Sequence, residues 1–144
     1  MKRTIVVEMT WNEHQHFAVQ VGPHEAHVDG ESQAGPSPME YLATGVAGCM
    51  AIDVVHILER MRTAPDAVTV RLEGDRREES PSRFVAIRLH VVVTGDVPQA
   101  NVDRALQLSR DKYCSAWHSM RQDIELSLSG EILGRVSSII KRSS

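Results

Sequence analysis

The sequence predicts an α+β domain rather than a doubly wound parallel sheet. Three observations carry this reading. Segments rich in β-branched residues cluster ahead of residue 30; one long apolar stretch with a well-specified helical start occupies residues 37–62; and the remainder reads as strand, strand, helix, strand. The chain of 144 residues, 42% hydrophobic and 24% charged, has the size and balance of a single globular domain spanning residues 1–144.

Taken in order, Thr4–Thr10 and Phe17–Val21 are β-branched or alternating runs separated by the polar turn Asn12–Gln15, which predicts a hairpin. Gly22 and Pro23 turn the chain, a short third strand is expected around Ala26–Val28, and residues 29–36 form a loop lying against the start of the helix. Ser37 and Glu40 then have the spacing of a capping box, with Pro38 in the first turn where no amide partner is lost. The helix ends near Arg62, where Arg60 and Arg62 suit the negative end of the dipole and Pro65 stops the chain. Because Leu42, Val46, Cys49, Ile52, Val55, Ile57 and Leu58 leave little polar surface, this helix is expected to be buried. Gly45 and Gly48 each cost roughly 1 kcal/mol relative to alanine in a helix, so a neighbouring backbone or a substrate is expected close to them.

Val68 to Arg76 and Phe84 to Thr94 read as a second hairpin with a solvated charged tip. Pro98 opens a second helix running to about Lys112, with Val102, Ala105, Leu106, Leu108 and Ser109 facing inward. Tyr113–Met120 is a loop or short helix, the segment from Ile124 is the closing strand, and the tail Ser137–Ser144 is expected to be loosely held.

Several function classes are excluded. The net charge is −3, no basic stripe is present and only 4% of residues are aromatic, so nucleic acid and anionic membranes are poor partners. No GxGxxG follows a strand and no GxxxxGK[ST] occurs, so no dinucleotide or nucleoside triphosphate is implied. The first apolar run breaks at Glu8, too early for a secretory leader, and no run approaches ~18 apolar residues, so a cytoplasmic protein with no membrane span is expected. In that reducing compartment Cys49 and Cys114 are free thiols rather than a structural staple.

Read from the residues alone, Cys49 is either a small buried hydrophobe or a reactive thiol. Cys114 is either a half-buried junction residue or, if it starts a new helical turn, a thiol whose pKa the free amides there lower. Asp53 and His56 follow Cys49 by four and seven residues, on roughly the same helical face. His56 is a candidate cationic neighbour of the thiol, and Asp53 a candidate partner for Arg60 or Lys112. Cys49, His56, Cys114 and His118 also form a candidate metal set, although no CxxC or HExxH pattern accompanies them.

The segments Gly35-Pro-Ser-Pro-Met-Glu-Tyr-Leu42 and Gly48-Cys-Met50, with Lys112-Tyr-Cys-Ser-Ala116 ahead of a final strand, resemble the OsmC/Ohr family of osmotically inducible and organic hydroperoxide resistance proteins. Within it they are most similar to the YhfA branch, and the resemblance covers nearly the whole chain. It implies two antiparallel-sheet halves around two helices, in an intertwined homodimer. It further implies a thiol peroxidase reducing organic hydroperoxides without a bound cofactor or metal. In that reading Cys49 is oxidised to a sulfenic acid, Cys114 resolves it as a disulfide, and a small dithiol or a lipoylated protein restores the thiols. Met39, Leu42, Val46 and Met50 are candidate apolar walls for such a substrate.

Family members support the thiolate with a glutamate and an arginine. Glu40 matches the glutamate and is a candidate catalytic residue beside Cys49 and Cys114; it lies nine residues before Cys49, about half a turn out of phase on a straight helix, so a capping role with Ser37 is the alternative. The arginine has no counterpart among residues 4–37. His14, His16, His24, His27, a later arginine or a partner subunit are the alternatives. A non-enzymatic reading, as a ligand-binding or slow thiol-sensing protein, is the competing function.

Overall fold

The computed structural model describes residues 2–134, and the expected loose tail lies outside them. The chain divides into two compact units, residues 1–44 and 45–144.

In the first unit, β1 (Glu8–Glu13), β2 (His16–Val21) and β3 (His24–Asp29) form an antiparallel meander. The first strand starts four residues later than its β-branched composition suggests. Gly22 takes the left-handed conformation (φ 56°) that the β2–β3 turn needs. The following loop is built on Asp29, whose nearly buried carboxylate accepts backbone N–H groups from Glu31, Gln33 and Ala34 at 2.9–3.3 Å. These bonds, chiefly those of Ala34 and Glu31, hold its carboxyl below the usual range. Gly35 follows because a side chain there would run into the His27 carbonyl oxygen. The loop therefore lies against the start of the helix, as expected.

Helix α1 (Pro38–Arg60) begins with the predicted capping box. The Ser37 amide donates to Glu40 Oε1 at 2.8 Å and the Glu40 amide to Ser37 Oγ at 3.2 Å, while Ser32 Oγ donates a second bond to the Glu40 carboxylate at 2.7 Å. Burial is the main departure from expectation. Only the stripe Val46, Met50, Val54, Ile57 and Leu58 is buried; Leu42 is 43% and Ile52 70% exposed. Among the described residues a Cβ at Gly45 or Gly48 would meet nothing within 4 Å, so the expected close neighbour is not found there. At 23 residues, α1 is also long and apolar enough to pass a length-and-composition test for a membrane span, although Glu40 and Asp53 interrupt it.

The second unit is built on β4 (Ala67–Arg76), β5 (Phe84–Thr94) and β6 (Glu125–Leu133), ordered β4-β5-β6. Register aligns three rows on one face: Val68, Val93 and Ile132; Val70, Val91 and Gly130; Leu72, Leu89 and Leu128. Leu89, Val91 and Val93 in the central strand are fully or almost fully buried, as period-2 alternation demands. β6 runs parallel to β5, which corrects the expectation of a wholly antiparallel half. Parallel neighbours need a crossover, here supplied by α2 (Gln99–Leu108), a π-helical turn (Ser109–Tyr113) and α3 (Ser115–His118). Gly130 leaves the room into which α2 packs: a Cβ there would lie 2.6 Å from Val102 Cγ1 and 3.3 Å from Leu106 Cδ1. Gly130→Ala is therefore expected to destabilise the fold by about 1–3 kcal/mol through overpacking, measured as a lower urea midpoint at unchanged m.

Candidate active site

Two local features bring Cys49 and Cys114 together. Cys49 sits in the middle of α1, one residue before the buried stripe position Met50, and is half-buried. Cys114 is placed by an irregularity that the sequence reading did not anticipate. The second helix was expected to run straight to Lys112, but from Ser109 it widens into a π-helical turn, closed by the bond from the Cys114 amide to the Ser109 carbonyl at 2.8 Å. Such turns frequently occur at functional sites. Here it ends the helix with Cys114 in an extended conformation, capping α3.

The result is a cluster of three donors. Cys49 Sγ, Cys114 Sγ and a carboxylate oxygen of Asp53 all lie within 4.8 Å of one another. Both cysteines are free thiols, and Cys114 is completely buried. Asp53 pairs with neither Arg60 nor Lys112 as entertained above; its Oδ2 accepts the hydroxyl of Ser109 at 2.8 Å. Ser109 has no exposed surface. Its place on the inward stripe of α2 was legible, its role was not. The available signal was a lone hydroxyl on an otherwise apolar stripe, since a buried hydroxyl needs a partner.

Cys114 does cap a helical turn as anticipated, with Sγ accepting the Trp117 amide at 3.3 Å. The net effect on its acidity is nevertheless opposite to the expected lowering. Burial pushes the thiol up to about 11; the Trp117 amide pulls it down, but Cys49 and Asp53, both negative when ionised, add to the rise.

The remaining candidates fall elsewhere. The Glu40 carboxylate is committed to Ser37 and Ser32, which holds its pKa below the ordinary value. His56 is exposed, and His118 bonds through Nε2 to the Arg110 carbonyl at 2.9 Å; neither belongs to the cluster, which takes Asp53 instead. His16 and His27 face each other across β2 and β3, Nε2 to Nδ1, at 2.9 Å. Val46 and Met50 have no exposed surface, so they serve the core and cannot wall a substrate as expected. An open apolar groove of about 840 Å³, including Met9, Phe17, Val19, Val28 and Tyr41, lies wholly within the first unit and includes neither cysteine.

An α+β fold whose central helix and crossover each present a thiol to the other defines a dithiol protein. The family profile described as OsmC-like protein matches residues 29–129, and the chain belongs to this family, the OsmC/Ohr family. It is 41% identical to protein YhfA of Escherichia coli (strain K12) over 112 residues, covering 76% of this chain and 84% of that one. Among solved structures it is similar to a hypothetical protein from Aquifex aeolicus VF5, with 27% identity, a TM-score of 0.86, and 93% and 99% of the two chains covered. The fold also matches an organic hydroperoxide resistance protein OsmC from Legionella pneumophila, at 15% identity and a TM-score of 0.68, over 90% and 97% of the two chains.

The raised pKa of Cys114 has a consequence for stability. With the folded value near 11 and the ordinary value at 9.0, folding favours the neutral thiol. The contribution is complete below pH 9 and is lost as pH rises through 11. The denaturation midpoint of the reduced protein is expected to fall across this window by an amount equivalent to at most about 3 kcal/mol, and by less in Cys114→Ser.

Proposed function

We propose that this chain is a thiol-dependent peroxidase acting on organic hydroperoxides. The observation that carries the reading is the convergence of the two sulfurs within 4.8 Å. A modest side-chain rotation would bring sulfurs at that range to the bond length of a disulfide, about 2.05 Å. The Cys49 thiolate attacks the distal oxygen of the hydroperoxide, the O–O bond breaks, and the alkoxide leaves with a proton as the alcohol. The Cys114 thiolate then attacks the sulfur of the Cys49 sulfenic acid, forming the disulfide and releasing water. A dithiol, free or carried as a lipoyl group on a protein, returns two electrons and two protons. The name of the Legionella pneumophila structure, an organic hydroperoxide resistance protein, supports the substrate class. A reducing compartment such as the cytoplasm suits the cycle.

One specific observation favours a slower role. Burial holds Cys114 up to about 11, and Cys49 and Asp53 beside it add to the rise, so the resolving thiolate is scarce at neutral pH. That is the behaviour of a thiol sensor rather than a fast peroxidase. Stopped-flow mixing of reduced protein with cumene hydroperoxide separates the two. A peroxidase loses both thiols per chain in the mixing experiment, Cys49→Ser consumes no peroxide, and Cys114→Ser leaves a sulfenic acid that dimedone traps. Disulfide formation that takes many minutes at saturating peroxide would favour sensing.

The proposed assembly is a homodimer. Ile52, Leu42 and Tyr41 on α1 and Met9 and Trp11 on β1 are large apolar side chains left exposed in the single chain, and surface of that kind marks an interface. Gly45 and Gly48, exposed on the same helix, would let a partner backbone approach closely. Light scattering is expected to give twice the chain mass, and Ile52→Glu to shift it toward the monomer.

A further inference from the structure

The same three donors that suit redox chemistry also form a ligand set. Two sulfurs and a carboxylate oxygen lie within 4.8 Å of one another, on two helical segments already bonded to each other. A tetrahedral ion that binds sulfur at about 2.3 Å and carboxylate oxygen at about 2.0–2.2 Å holds such donors roughly 3.5–3.8 Å apart, so a side-chain adjustment of about 1 Å closes the set.

The surroundings orient each donor. Ser109, fully buried, donates to Asp53 Oδ2 at 2.8 Å and so fixes the direction of that carboxylate. The Trp117 amide donates to Cys114 Sγ at 3.3 Å, a bond that a metal-bound thiolate keeps. Hydrogen bonds of this kind from neighbouring groups fix the direction of metal ligands and tune their affinity. Cys49 and Asp53 are only half-buried, so solvent can reach the cluster from their side and supply a fourth ligand.

We propose that the reduced protein binds one thiophilic divalent cation, best fitted by Zn²⁺, through Cys49 Sγ, Cys114 Sγ and Asp53, with the fourth position open to water. Two thiolates with one carboxylate and an open position match the preference of Zn²⁺ for sulfur in tetrahedral geometry, and exclude Mg²⁺ and Ca²⁺, which require oxygen donors. Binding releases the two thiol protons. The site exists only while both sulfurs are reduced, because a disulfide offers no thiolate. This inference does not depend on the peroxidase reading, since it requires no oxidant.

The test uses the full chain, reduced and kept free of oxygen and peroxide, titrated with Zn²⁺ against a chromophoric chelator. One ion per chain is expected. Cys49→Ser, Cys114→Ser and Asp53→Asn should each weaken binding at least 10-fold, the last while keeping an oxygen that can accept the Ser109 hydroxyl. Ser109→Ala should weaken it about 10-fold or more, and the wild-type disulfide form should lose the site without any substitution. Co²⁺ in place of Zn²⁺ should give thiolate-to-metal absorption in the wild type and not in either cysteine variant. The proposal is overturned if the reduced wild type binds no more Zn²⁺ than the Cys49→Ser/Cys114→Ser double variant, or if Asp53→Asn binds as tightly as the wild type. A peroxide assay that fails while stoichiometric Zn²⁺ binding holds would remove the peroxidase reading and leave this one standing.

Discussion

Two thiols and a carboxylate can share a few ångströms only if the helices that carry them are held in register. Two hydrogen bonds do this between α1 with its C-terminal extension and the crossover helix. Ser109 Oγ reaches Asp53 near the middle of α1, and Asn101 Nδ2 reaches Thr63 Oγ1 just beyond its end at 3.2 Å. The buried stripe Val46, Met50, Val54 and Leu58 has no exposed surface, so α1 cannot rotate without opening the core. Cys49, one position from Met50, is therefore fixed in direction by the packing of its own helix.

The price of this arrangement falls on Cys114. Sealing a thiol in the interior and giving it acidic neighbours raises its pKa, and one backbone amide offsets only part of that rise. A protein under selection for the fastest resolution would place a cation here. What the structure supplies instead is a neutral hydrogen-bonding group, Ser109, aimed at the carboxylate. The consequence is a Cys114 thiol that stays protonated at neutral pH.

Much of the surface chemistry of the single chain also follows from one fact: α1 is apolar over more of its circumference than the described residues cover. The expectation of a buried helix holds for one stripe of it only. Leu42 and Ile52 are as hydrophobic as the residues of the buried stripe, and a hydrophobic pattern does not say whether its partner lies in the same chain.

The local signals were legible where the physics is local. The capping box of Ser37 and Glu40, the two hairpins, the Gly22 turn and the alternation along β5 depend on residues a few positions apart, and the sequence by itself determined them. The family followed from short motifs around the two cysteines. The parallel pairing of β6 with β5 was not legible, because strand direction depends on how a thirty-residue crossover packs. The π-helical turn at Ser109 was hidden for a related reason: its wider ring is repaid by contacts with α1, and nothing in Ser109–Tyr113 itself disfavours an ordinary helix. Tertiary structure alone decided that Asp53 would face Ser109 and the two sulfurs rather than a lysine or arginine, since the choice among partners for a charge is made by which helix face the core leaves open to it.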